Sequence, residues 1–76
     1  MKEISIKTEF IKLDQLLKFI GIAPTGGHAK FLIPSGCVEI NGHSVSERGK
    51  KVRNGDIVRV NIEEEKVFKT FKIVGQ

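Results

Sequence analysis

The sequence predicts an α+β fold, with two short helices packed on a small, mostly antiparallel sheet. Three observations predict it. Apolar and polar residues alternate near both ends of the chain, as in half-buried strands. Between them Leu13, Leu16, Leu17 and Ile20 fall at i, i+3, i+4 and i+7, one apolar stripe of a helix. The second half carries two Asn-Gly steps, Asn41-Gly42 and Asn54-Gly55, which are turn signals between strands. With 76 residues the chain is read as a single domain, 1–76, built on one modest core.

The elements follow in order. Ile4, Ile6 and Thr8 alternate with Ser5 and Lys7, so a short strand opens the chain. The first helix is predicted over about 12–20. Asp14 in its first turn complements the helix dipole, and Gly21 is a good residue to end it. Pro24-Thr25-Gly26-Gly27 breaks the chain and restarts it. Thr25 is the expected N-cap of a second short helix whose inward face is Ala29, Leu32 and Ile33. Pro34 cannot donate to the helical ladder and frays that helix near its end, and Gly36 terminates it. Val38 and Ile40 alternate with Glu39, Asn41-Gly42 makes a hairpin, and Val45 begins the return. Asn54-Gly55-Asp56 turns into a strand over 57–62. Val67, Phe68, Phe71, Ile73 and Val74 mark the last strand, and Glu63-Glu64-Glu65 between the two reads as a solvated turn.

Charge narrows the function. The net charge is +4, and all of the excess lies between Lys18 and Arg53. The segment Arg48-Gly49-Lys50-Lys51-Val52-Arg53 holds four cations and no acid. Ordinary solvated faces mix signs, so a one-sign cluster on a folded unit calls for a polyanion, and for a small domain that is nucleic acid. Arg48, Lys50, Lys51 and Arg53 are the leading phosphate ligands: in an extended segment Arg48 and Lys50 face one way and Lys51 and Arg53 the other, and Gly49 is free to bend the chain and bring three of them together. Thr25, Gly26 and Gly27 open a helix, where free N–H groups and the lack of side chains let a phosphate approach. Lys30 follows one turn on, and His28 can donate to phosphate or stack on a base. Phe31 falls off the inward face and can stack on an unpaired base. Lys12 is a further contact candidate at the start of the first helix. For each of these the bland alternative is capping, a solvated side chain or partial burial.

Other chemistry finds little support. Cys37 is the only cysteine, which excludes an intrachain disulfide and a thiolate zinc site, and reads as a small buried apolar residue. No histidine, cysteine and acid stand at metal spacing, and no cofactor motif is present. No nucleophile–base–acid set is visible, so no catalytic residue is assigned and the chain is not expected to be an enzyme. His43-Ser44 is a poor dyad, because neighbours on a strand face opposite ways. No apolar run is long enough for a membrane span and no signal peptide is seen, so the cytoplasm is the expected compartment.

The order of these pieces resembles a known family. Lys12-Leu13-Asp14-Gln15-Leu16-Leu17, Gly21-Ile22, Ala29-Lys30, Gly36-Cys37-Val38-Glu39-Ile40-Asn41-Gly42 and Gly55-Asp56-Ile57-Val58 are similar to the S-four domain. That is the RNA-binding module named after a small-subunit ribosomal protein. The likeness covers about residues 12–61. Thr25-Gly26-Gly27-His28-Ala29-Lys30 and Glu47-Arg48-Gly49-Lys50-Lys51 further resemble the small stand-alone bacterial members (the YaaA and YbcJ type). Pro34 and Lys12 depart from that pattern. The resemblance implies the alpha-L RNA-binding motif and a non-catalytic protein that recognises structured RNA, with ribosomal RNA or a ribosomal subunit as partner, in ribosome assembly or translation. Five Phe with no Tyr or Trp also favour structured RNA over single strands, which need several exposed rings. The alternatives are a protein-interaction module of the β-grasp type, against which the ending Val74-Gly75-Gln76 speaks, and an accessory subunit of an RNA-modifying enzyme.

Overall fold

The computed structural model describes residues 1–23 and 31–75. Seven strands and one complete α-helix are found among them: β1 (Lys2–Ser5), β2 (Phe10–Lys12), α1 (Leu13–Phe19), β3 (Val38–Ile40), β4 (His43–Ser44), β5 (Lys51–Arg53), β6 (Ile57–Ile62) and β7 (Val67–Val74). Five strands form one sheet in the order β1-β7-β6-β3-β4, and β2 pairs with β5 in a separate ribbon. Every pairing is antiparallel except β1 with β7, which is parallel. The mixed α+β class with a mostly antiparallel sheet is therefore as predicted.

Period-2 alternation builds the sheet. On β6, Val58, Val60 and Ile62 are buried while Arg59 and Asn61 are exposed. Val38 and Ile40 of β3, Phe71 and Ile73 of β7 and Ile4 of β1 supply the rest of the buried face. Onto this core α1 places Leu13, Leu16 and Leu17, all fully buried. Burial of that kind contributes about 1.5–3 kcal/mol per leucine. The segment Leu-Asp-Gln-Leu-Leu-Lys-Phe is helical because it has no β-branched residue and because Asp14 and Lys18 sit at the dipole ends that favour their charges. It stops where expected. Gly21 has φ +81°, its N–H donates to the Lys18 carbonyl at 3.1 Å, and the Ile22 N–H donates to Leu17 at 3.0 Å. That pair of bonds is the Schellman arrangement, which a residue with a Cβ would strain.

The Asn41-Gly42 hairpin also forms as read, with φ of +53° and +82° at its two turn residues. The return strand starts at His43, ahead of the expected Val45, because the two-residue turn sets Ile40 opposite His43. Asn41 does more than turn. Its Nδ2 donates to Asp56 Oδ1 at 3.0 Å, and its Oδ1 accepts from the Ile57 N–H at 2.9 Å. The second Asp56 oxygen accepts from the Arg53 N–H at 2.9 Å. Two turn signals far apart in sequence are thus clasped side chain to side chain.

Three expectations change. The helix begins at Leu13, since Lys12 is extended (φ −73°, ψ 144°) and closes strand β2. Two helices were predicted, and among the described residues only α1 is complete. Where the second was expected, Phe31 and Leu32 are helical and a 3-10 turn, Ile33–Ser35, takes over at Pro34, as a residue without an N–H requires. Gly36, with φ +86°, ends it. Cys37 is half-buried rather than fully buried, with Sγ 2.8 Å from Ser35 Oγ. The predicted restart at Pro24, Thr25, Gly26, Gly27, His28, Ala29 and Lys30 lies outside the described residues.

Candidate functional site

The basic segment is folded against the start of α1, and the reason lies in helix geometry. The first N–H groups of a helix have no partner within it. Here the Leu13 N–H donates to the Lys50 carbonyl at 2.8 Å and the Asp14 N–H to the Arg48 carbonyl at 3.0 Å. The Gln15 N–H is met by Asp14 Oδ1 at 2.8 Å. The loop that carries the cations therefore caps the helix with its own backbone. Gly49 bends it as expected: the Lys50 N–H donates to the Glu47 carbonyl at 3.2 Å, closing a turn over residues 47–50.

Beyond that turn the chain becomes β5 and pairs with β2, Phe10 opposite Arg53, Ile11 opposite Val52 and Lys12 opposite Lys51. Val52 is fully buried and Ile11 packs on the core, so one face of the ribbon is inward. Alternation then sends Phe10, Lys12, Lys51 and Arg53 to the other face. Lys51 and Arg53 share a face, as an extended segment requires, and Lys12 joins them from a residue far away in sequence. Like charges directly opposite on a ribbon are destabilising. The nearby Asp56 carboxylate is already engaged by the Asn41 amide and the Arg53 N–H. Phe10 offsets part of that cost. Lys51 Nζ lies 4.7 Å and Arg53 Cζ 5.8 Å from the centre of its ring. Each such contact contributes about 0.5–1 kcal/mol at an exposed site.

The ribbon borders an open groove of about 570 Å³. Lys50, Lys51 and Arg53 line it together with Asn41, His43 and Ser44 of the β3–β4 hairpin, and Glu47 and Asp56 are its acids. The structure thus brings together Lys12, Lys50, Lys51 and Arg53, with the Arg48 backbone tied to the same helix start. Phe31 lies elsewhere, 82% exposed, in a second groove with Leu32, Cys37, Ile62, Glu64 and Glu65. Thr25, Gly26, Gly27, His28 and Lys30 lie outside the described residues. Phe10 was not among the predicted contacts, and His43, beside the hairpin turn, was not expected to act. Spacing alone does not single out Phe10, because its place beside Lys51 and Arg53 depends on the register of β2 with β5. Among the described residues no cluster of three or more His, Cys, Asp or Glu could hold a metal ion, and no helix is long and apolar enough to cross a membrane.

Fold and site define a one-core α+β module whose helix start is capped by a cationic loop and whose accessory ribbon presents three cations and an aromatic ring. Comparison with known proteins gives this class its family. The chain belongs to the S4 domain family, whose model matches residues 4–68. It is also similar to a protein of Bacillus subtilis (strain 168) described as "Probable ribosome maturation protein RlbA". The two are 35% identical over 72 residues, covering 95% of this chain and 94% of the relative. The S-four resemblance read from the motifs is confirmed, and the relative's length agrees with the small stand-alone type.

Proposed function

We propose that this protein is a non-catalytic RNA-binding module that recognises structured RNA, with ribosomal RNA as its target, during maturation of the ribosome in the cytoplasm. The observation that carries this reading is the ribbon. Lys12 and Lys51 stand opposite each other with Arg53 alongside. A sugar-phosphate chain relieves that repulsion, and a solvated surface gains nothing from it. Family membership and the relative's description support the same reading.

Lys12, Arg48, Lys50, Lys51 and Arg53 would take phosphates. Thr25, Gly26, Gly27, His28 and Lys30 would add further contacts to the RNA. Specificity would come from shape and phosphate placement, because base readout needs more exposed rings than this face offers. With about four to six phosphates contacted, counterion release gives a log–log salt slope of roughly −3 to −5.

Binding of the intact protein to purified ribosomal RNA over a salt series tests this, paired with crosslinking in cells and sequencing of the attached RNA. The Lys50→Glu/Lys51→Glu variant is expected to keep its fold and lose most of the crosslinked RNA. A slope near zero, or an unchanged crosslink yield in the variant, contradicts the proposal. Co-purification of a partner that survives ribonuclease treatment would point instead to a protein-interaction module or an accessory subunit.

A further inference from the structure

Phe31 is the most exposed aromatic side chain among the described residues, and its surroundings differ in kind from the ribbon. It borders a groove of about 500 Å³ with Leu32, Ser35, Cys37, Ile62, Glu64 and Glu65. The floor is apolar: Ile62 belongs to the core, and Leu32 and Cys37 pack against it. The rim is acidic. Glu63, Glu64 and Glu65 form a 3-10 turn between β6 and β7, and all three are exposed. Lys66, with φ +54°, closes that turn.

A groove with an apolar floor and a carboxylate rim repels a phosphate chain and suits a cationic one. An exposed aromatic ring beside an apolar floor has the makings of a binding hot spot, because the floor can be fully desolvated while the rim selects charge. We infer that this groove docks a lysine- or arginine-rich polypeptide segment carrying one large apolar side chain. That side chain would pack against Phe31, Leu32 and Ile62, and the flanking cations would meet Glu64 and Glu65. The molecule would then present two faces of opposite charge, one for nucleic acid and one for a basic protein chain.

Cys37, the only thiol in the chain, lines the groove and serves as its reporter. The experiment measures alkylation of Cys37 by iodoacetamide in the intact protein. It is titrated with a hexapeptide that has two lysines on each side of a leucine–phenylalanine pair. Controls are the same peptide with glutamates for lysines, purified ribosomal RNA, and a dilution series of the protein alone. The lysine peptide is expected to slow alkylation and the glutamate peptide to leave it unchanged. Glu64→Gln/Glu65→Gln is expected to weaken that protection about tenfold while ribosomal RNA binding stays as in the parent, and Phe31→Ser is separately expected to weaken the protection by a similar factor. All three positions are exposed, so neither variant threatens the fold. Four results would each overturn the inference. They are equal protection by both peptides, protection unaffected by the variants, protection by RNA in place of peptide, and protection that rises with protein concentration alone. The last would make a second copy of this chain the occupant.

Discussion

Replacing Lys12 by glutamate should make the protein more stable and a worse RNA binder at once. Lys12 stands opposite Lys51 on the ribbon and at the N-cap of α1. Lys12→Glu turns a like-charge pair into an opposite pair, a change of about 0.2–1 kcal/mol for each of the two terms. An acid at the start of a helix adds about 0.3–1 kcal/mol. Both side chains are exposed, so solvent screening trims the total to ~1 kcal/mol at low salt. For a domain of this size that raises Tm by about 4–8 °C. The gain should fade in about 1 M salt, where the Debye length falls to about 3 Å. Binding moves the other way. One lost phosphate contact flattens the log–log salt slope by about 0.7–0.9 and costs roughly eightfold in affinity at about 0.1 M salt. Calorimetry at two salt concentrations and RNA titration of the same protein give both readouts. A Tm that falls, or a rise that persists unchanged in high salt, would refute the reasoning about the opposed lysines. An RNA affinity that does not change would refute the assignment of the ribbon to phosphate.

Two further outcomes probe the scaffold. Asp56→Ala removes the acceptor for Asn41 Nδ2 and the Arg53 N–H and should cost ~2 kcal/mol, typical of bonds to a charged group. Urea denaturation should show the midpoint lowered by about 1–2 M, with Asp56→Asn losing roughly half as much. Gly21→Ala forces a side chain into φ +81° and should lower stability by about 1–2 kcal/mol, read as a drop in Tm.

What the sequence made legible was local. The helical stripe of Leu13, Leu16 and Leu17, its glycine stop and the Asn41-Gly42 hairpin each depend on neighbours within a turn or two, so periodicity and turn chemistry announce them. The ribbon was hidden for the opposite reason. Strand β2 has three residues, abuts a helix, and finds its partner some forty positions away. Its charge pattern even argues against pairing, since no local rule sets lysine against lysine. The parallel pairing of β1 with β7 spans nearly the whole chain and has no turn to advertise it. At the site, charge composition singled out 48–53. The contribution of Phe10 needed the register, and the acidic setting of Phe31 needed the fold that brings the 3-10 turn of Glu63–Glu65 beside Cys37.

The two amides of Leu13 and Asp14 are held only by carbonyls of the cationic loop. Their hydrogen exchange is therefore an internal gauge of that loop. As long as it stays docked these amides resist deuterium, and any ligand that peels it away must first unlatch the helix. Partners that accept the loop as it stands escape that toll, which makes the loop a rigid template to which RNA would have to conform.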